Sequence, residues 1–154
     1  MQPANILVVD DDAVARDLLA EALKKEGYAV ETFASGEEVI ARGRQGRVDL
    51  VLTDIRMGAV DGLTVLREFK RTNPDTAVVV LTSFGSLEGA IEAIKQGAYD
   101  YLAKPFKKED IKLVVKRSLD HSRLVRENTR FREELKSKDE WSPLVGSSRR
   151  RSRR

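Results

Sequence analysis

The chain reads as an α/β protein in which five short apolar runs alternate with helix-length amphipathic stretches. That alternation is the pattern of β/α units around a parallel sheet, and the central runs lack a polar face, as strands covered on both sides require. A third observation marks the working end. Each central run is followed at once by polar residues, where open parallel sheets place their ligand sites.

The strand candidates are Ile6 to Val9, Ala29 to Phe33, Leu50 to Leu52, Ala77 to Leu81 and Tyr99 to Leu102. Between the first two, Ala13 to Glu26 gathers Val14, Leu18, Leu19, Ala22 and Leu23 on one face, and Gly27 follows as a C-terminal stop. A weaker helix runs from Glu37 to about Arg44. Leu63 to Lys70 presents Leu63, Leu66 and Phe69 before Asn73-Pro74 ends it, and Leu87 to Gln96 presents Leu87, Ile91 and Ile94 before Gly97. From Lys108 to about Lys138 neither glycine nor proline occurs, so the fifth helix outlasts its domain and continues as a rod until Ser142-Pro143. This predicts a domain over 1–118, a connector helix over 119–140, and, over 141–154, the start of a following domain or a disordered basic tail.

With 154 residues, 41% apolar and 34% charged, the chain has room for one ordinary core plus an appendage. There is no cysteine, so disulfides and thiolate metal sites are excluded. No apolar run approaches the length of a membrane span or a secretory signal, which predicts a cytoplasmic protein without membrane contact. Five arginines fall within the last six residues, and without them the net charge of +3 becomes −2. The body is therefore mildly acidic, and nucleic-acid attraction is a minority reading of the tail.

The polar clusters carry the chemistry. Val9 is followed by Asp10, Asp11 and Asp12; Leu52 by Thr53 and Asp54; Leu81 by Thr82 and Ser83; Leu102 by Ala103, Lys104 and Pro105. Carboxylates brought together repel one another unless one is protonated or a hard cation sits among them, and an oxygen-only site with room for water suits Mg²⁺. One ammonium and two hydroxyls can hold phosphoryl oxygens without attacking anything. The set reads as a phosphoryl-transfer site in which positioning and charge neutralisation do the catalysis. Taken singly, Thr82 and Ser83 are helix starters, Lys104 a solvated lysine and Tyr101 a rim aromatic; their joint placement gives them weight. Asp12 reads as a helix cap. His121, the only histidine, reads as a solvated residue with no partner.

In order and spacing, Asp10-Asp11, Asp54, Thr82, Tyr101 and Lys104-Pro105 resemble two-component receiver domains, over about Asn5 to Ser118. The resemblance implies a doubly wound, flavodoxin-like sheet in the order 2-1-3-4-5. It implies that Asp54 accepts a phosphoryl group from a sensor histidine kinase, while Asp10, Asp11, Asp54 and the backbone carbonyl of Arg56 hold Mg²⁺. Lys104 would contact a phosphoryl oxygen, Thr82 would move to hydrogen-bond it, Tyr101 would turn inward, and Lys104–Pro105 would be cis. The fourth helix, the fifth strand and the start of the last helix would relay the change. The family often has proline where Gly58 stands, and glycine loosens the loop carrying Arg56.

Asp54-Ile55-Arg56-Met57, the connector and Leu144-Val145-Gly146-Ser147-Ser148 are similar to the N-terminal part of nitrogen-regulation-type sigma-54-dependent transcriptional activators, which implies control of transcription. No Gly-x-x-x-x-Gly-Lys-Ser/Thr loop and no helix-turn-helix is present, so neither ATP hydrolysis nor sequence-specific DNA binding is expected of this chain. The rival is an aspartate-nucleophile phosphatase of the haloacid dehalogenase type using Asp10 and Asp12. It needs a later acidic pair at a strand end, whereas Glu109-Asp110 falls in a helical pattern, and it leaves Asp54 idle. The expected function is a switch with at most self-dephosphorylation as an activity of its own. Along the last helix, Val114, Arg117, His121, Leu124, Asn128, Phe131 and Leu135 form one seam, in which Leu124, Phe131 and Leu135 supply burial and Asn128 sets register in a parallel homodimer.

Overall fold

The computed structural model describes residues 3–83 and 87–141, with side chains as far as 135. The expectations for Ser142-Pro143, for Leu144 to Ser148 and for the arginine-rich end fall outside the described residues. Ten elements alternate in chain order: β1 (Asn5–Val9), α1 (Ala13–Lys25), β2 (Ala29–Phe33), α2 (Gly36–Gly43), β3 (Leu50–Asp54), α3 (Gly62–Thr72), β4 (Ala77–Thr82), α4 (Leu87–Lys95), β5 (Asp100–Ala103) and α5 (Lys108–Trp141). The strands pair in parallel in the order β2-β1-β3-β4-β5, as the resemblance implies.

Side-chain alternation divides the core between the two faces of the sheet. Leu7, Val9, Val51, Val78 and Val80 pack with Val39 of α2, Val65, Leu66 and Phe69 of α3 and Ala93 of α4. Ile6, Val8, Leu50, Leu52, Val79 and Leu81 pack with Leu19 and Leu23 of α1 and Ile111 and Val115 of α5. Strands β3 and β4 are buried throughout, which explains their unbroken apolar sequence, whereas the edge strands β2 and β5 are partly exposed.

Local chemistry sets the boundaries. Asp12, Ser35 and Asp61 cap α1, α2 and α3 by accepting hydrogen bonds from first-turn N–H groups. Gly27 and Gly97 follow α1 and α4 with φ of 95° and 114°, a left-handed backbone that glycine adopts without strain.

Of the faces their periodicity indicates, α1 buries only part and α4 buries a different one. In α1 the residues against the sheet are Leu19, Ala20 and Leu23, while Val14 and Leu18 are exposed. In α4 they are Ala90 and Ala93, while Leu87, Ile91 and Ile94 are exposed. In α4 only small alanines face the sheet, and the larger aliphatics lie at the surface.

The chain divides into a compact unit, Met1–Ser122, and a second unit beginning at Arg123. Within the first, Ile111, Val114, Val115, Ser118 and Ser122 of α5 are buried, and Ser122 Oγ donates to the Asp75 carbonyl at 2.6 Å. Val114, assigned above to the dimer seam, thus belongs to the core. His121 is exposed but not alone: its ring stacks on Tyr99 with centroids 4.6 Å apart. Within the second unit, the described residues Arg123 to Trp141 are helical.

Two glycines beside β3 make opposite demands. A Cβ on Gly62 would strike the Asp54 carbonyl, with further contacts of 2.8–2.9 Å to the Asp54–Ile55 backbone, whereas one on Gly58 would meet nothing within 4 Å. Gly62→Ala is expected to destabilise the fold by about 1–3 kcal/mol in urea denaturation. Gly58→Ala is expected to be neutral, or to stabilise by up to about 1 kcal/mol.

Candidate functional site

Strand register brings the polar clusters together. Val9 lies opposite Thr53, and Asp54 lies opposite Leu81, so Asp10 leaves β1 beside the end of β3 and Thr82 follows one residue later on β4. Thr82 pairs with Ala103 of β5, and the Lys104 N–H donates to the Thr82 carbonyl at 2.7 Å. Lys104–Pro105 is cis.

The centre is a lysine between two carboxylates. Lys104 Nζ stands 2.7 Å from Asp10 Oδ2 and 3.2 Å from Asp54 Oδ2, with Asp10 fully buried and Asp54 nearly so. Asp11 completes the acidic group: Asp10, Asp11 and Asp54 each place one oxygen within 4.8 Å of the others. Asp54 Oδ1 accepts the Arg56 N–H at 3.3 Å, which wraps the loop around the acceptor and keeps the Arg56 backbone beside it. An open groove of about 590 Å³, lined by Asp11, Arg56, Met57, Gly58 and Gly89 among others, leads up to this edge.

Electrostatics follow from the crowding. Burial first, then the neighbouring Asp10 carboxyl, push Asp54 up to about 6, and Lys104 pulls against them. Burial alone would pull Lys104 down, but the close Asp10 and Asp54 carboxylates outweigh it and hold the ammonium above its ordinary value. Asp10 Oδ2 is buried and accepts no aligned hydrogen bond, although the ammonium is close. Such an oxygen, with two further carboxylates converging on it, fits a hard divalent cation with oxygen ligands.

Of the residues singled out by sequence, Asp10, Asp11, Asp54, Arg56, Thr82 and Lys104 lie at this edge. Thr82 is buried, while Tyr101 is 40% exposed on β5. Asp12 is committed elsewhere, with Oδ1 accepting the N–H groups of Val14 and Ala15 at the start of α1. That leaves the phosphatase reading without its second acid. Ser83 follows β4 and is exposed. Two residues that sequence reasoning passed over belong here. Gly62 closes the backbone behind Asp54, and its signal is its place just after the capping Asp61. Arg16 donates from Nη1 to the Asp10 carbonyl at 2.9 Å, and no side-chain pattern announces it.

Residues 6–116 match the family model described as the response regulator receiver domain. The chain is 33% identical over 144 residues to the C4-dicarboxylate transport transcriptional regulatory protein DctD of Rhizobium meliloti, covering 94% of this chain and 31% of that protein. It is 40% identical over 119 residues to the transcriptional regulatory protein ZraR of Salmonella typhimurium, covering 77% and 27%. It thus spans less than a third of these relatives' length. Among solved structures, NtrX from Brucella abortus in complex with ADP superposes with a TM-score of 0.78 at 38% identity, covering 83% of this chain and 30% of that one. A response regulator receiver domain protein from Clostridium thermocellum gives 0.75 at 33% identity, covering 79% and 98%. Receiver domains bind Mg²⁺ at an acidic pocket, and they act as signalling modules, not as classical enzymes. By sequence, sheet order and site, the chain belongs to the response regulator receiver domain family, the phosphorylation-dependent signalling modules of two-component systems.

Proposed function

We propose that Asp54 accepts a phosphoryl group from a sensor histidine kinase, in a reaction that requires Mg²⁺ at Asp10, Asp11, Asp54 and the Arg56 carbonyl. The observation that carries this reading is the lysine-bridged acidic group, with Lys104 Nζ 2.7 Å from Asp10 and 3.2 Å from Asp54. When bound, the cation neutralises phosphoryl oxygens during in-line transfer. An Asp54 carboxylate oxygen forms the new bond to phosphorus as the bond from phosphorus to the histidine nitrogen breaks. Asp54 must be ionised to attack, and Lys104 favours that form. Lys104 then exchanges its contact with Asp54 for a phosphoryl oxygen, and the Thr82 hydroxyl supplies a second donor. Movement of Thr82 frees space for Tyr101 to turn inward, altering the face formed by α4, β5 and the start of α5.

The output is control of transcription in the cytoplasm, relayed through the connector over 119–140 to partners or domains outside this chain. No described helix is long and apolar enough to cross a membrane. Leu124, Phe131 and Leu135 are 61%, 58% and 47% exposed, and burying them with Asn128 against a second copy gives the connector a reason to be apolar along one seam. The seam is shorter than the roughly three to four heptads of a self-sufficient coiled coil, so its association is weak enough for phosphorylation to adjust.

Incubation with a labelled small phosphodonor is expected to mark the parent chain and not Asp54→Asn, and a chelator is expected to abolish the label. Label retained under either condition refutes the assignment. Stability should report the same crowding. Because the folded carboxyl of Asp54 titrates at about 6 against an ordinary 3.8, the folded state holds more protons than the unfolded one between those values. Stability therefore falls as pH rises through that window. In chelator at neutral pH, Asp54→Asn should exceed the parent by on the order of 1–2 kcal/mol, and the gain should vanish towards pH 4. Thermal melts across pH check this. Light scattering over a concentration series is expected to show a dimer whose affinity changes with beryllofluoride and which Leu124→Asp with Phe131→Asp abolishes. A monomer at all concentrations into the tens of micromolar removes the connector's part of the reading.

A further inference from the structure

Arg16 lies one turn into α1, where its N–H donates to the Asp12 carbonyl at 3.0 Å as in any helix. Its side chain does not run out to solvent. It turns back over the β1–α1 loop, is only 20% exposed, and donates from Nη1 to the main-chain carbonyl of Asp10 at 2.9 Å. The Asp17 carboxylate lies 4.0 Å from Nε and is itself largely exposed, which makes it the weaker contact.

Asp10 is thereby pinned at three points. Its N–H donates to the Phe33 carbonyl at 3.2 Å, its Oδ1 accepts the Asp12 N–H at 2.9 Å, and its carbonyl accepts Arg16. The Asp10 carbonyl shares a planar peptide with the nitrogen of Asp11, so holding that oxygen orients the backbone on which the Asp11 carboxylate is mounted. Asp11 needs such support. It is exposed, and among the described residues no hydrogen bond or ion pair reaches its carboxylate, yet its oxygen lies within 4.8 Å of those of Asp10 and Asp54.

We propose that Arg16 is a positioning residue for the cation site, and that by holding the Asp10 carbonyl it sets the Asp11 carboxylate where a divalent ion requires it. The inference rests on the Mg²⁺ reading above. A guanidinium could instead act by charge alone, offsetting the aspartates at any distance of a few ångströms. The two roles differ in one respect. A charge effect persists when Asp11 is neutral, because Asp10 and Asp54 remain, whereas a positioning effect on Asp11 vanishes with its carboxylate.

Binding of Mn²⁺, a hard ion that shares oxygen-ligand sites with Mg²⁺, is to be followed by loss of the free-ion EPR signal in the whole chain. Four proteins form a double-mutant cycle: the parent, Arg16→Met, Asp11→Asn and the double variant. Methionine keeps an unbranched stem for packing and removes the donor, and thermal melts in chelator verify the fold. Should Arg16→Met not fold, Arg16→Gln, whose amide is too short to reach the carbonyl, takes its place in the same cycle. The expected result is a Kd raised about tenfold by Arg16→Met alone and changed by less than about twofold in the Asp11→Asn background. Equal affinity in parent and Arg16→Met overturns the role of Arg16. Equal losses in both backgrounds overturn the positioning of Asp11, and equal gains in affinity assign the effect of Arg16 to charge, because removing a neighbouring positive charge favours the metal ion. A parent chain that binds no Mn²⁺ overturns the cation reading itself.

Discussion

The carboxyl end of the sheet depends on one ammonium, Lys104 Nζ, standing between Asp10 and Asp54. Two carboxylates out of water and close together each disfavour the other's ionisation, and without a cation the economical state of such a pair is shared protonation. Lys104 reverses that preference only in part. Its own proton is held more tightly than usual, but Asp54 remains shifted upward to about 6. The site is therefore under-neutralised in the absence of a further cation, and the remaining imbalance is what a divalent ion would relieve. Compensation complete without the ion would leave little for it to contribute. A deeper shift would leave Asp54 protonated at neutral pH and unable to attack.

Holding this arrangement falls to the backbone more than to side-chain packing. Four parallel strands each end within a residue of their neighbour, which gives the four clusters a common edge. Asp12 ties the loop after β1 to the first turn of α1, Arg16 ties the same loop from one turn further, and Gly62 lets α3 begin against the backbone of Asp54. These contacts fix main-chain groups, and the N–H groups of Asp12 and Arg56 then hold the Asp10 and Asp54 carboxylates. The absence of proline at position 58 matters less than the sequence indicates. Gly58 has no left-handed φ and open space around it, and Arg56 is already anchored by its N–H to Asp54 Oδ1.

That division explains what could be read from the residues alone. The central strands were legible because burial on both faces demands continuous apolar runs, and Asp10, Asp11, Asp54 and Lys104 were legible because polar residues at such strand ends are conspicuous. The helix faces were legible only in part: Leu66 and Phe69 of α3 and Leu19 and Leu23 of α1 pack as their spacing indicates, but the α4 face does not. In α4, Leu87, Ile91 and Ile94 have the spacing of a core stripe, yet the neighbouring stripe of Ala90 and Ala93 packs on the sheet, since close approach selects volume as well as polarity. Periodicity identifies an amphipathic helix but does not choose between adjacent apolar stripes. Arg16 and Gly62 were missed for a different reason: their partners are carbonyl oxygens, which every residue has. The stack of Tyr99 on His121 joins elements that only the folded chain brings together.

The displaced stripe bears on how a change at Asp54 would leave the domain. Leu87, Ile91 and Ile94 on α4, Tyr101 on β5 and Leu113 on α5 are large apolar side chains at the surface of three consecutive elements. Exposed apolar area gathered on neighbouring elements is the composition of an interaction surface. The same region holds α5 to the body. Tyr99, which immediately precedes β5, stacks on His121, and one residue further along Ser122 Oγ bonds to the Asp75 carbonyl where the compact unit ends. Tyr101 lies two residues from Tyr99 and pairs with Val80, two residues before the Thr82–Ala103 pair, so a displacement of Thr82 would act on a strand whose start adjoins the ring stacked on α5. Between acceptor and helix lie a strand register, two tyrosines and one stacked imidazole. A movement at the sheet edge would therefore need no long relay to reach Ser122, the last residue of the body.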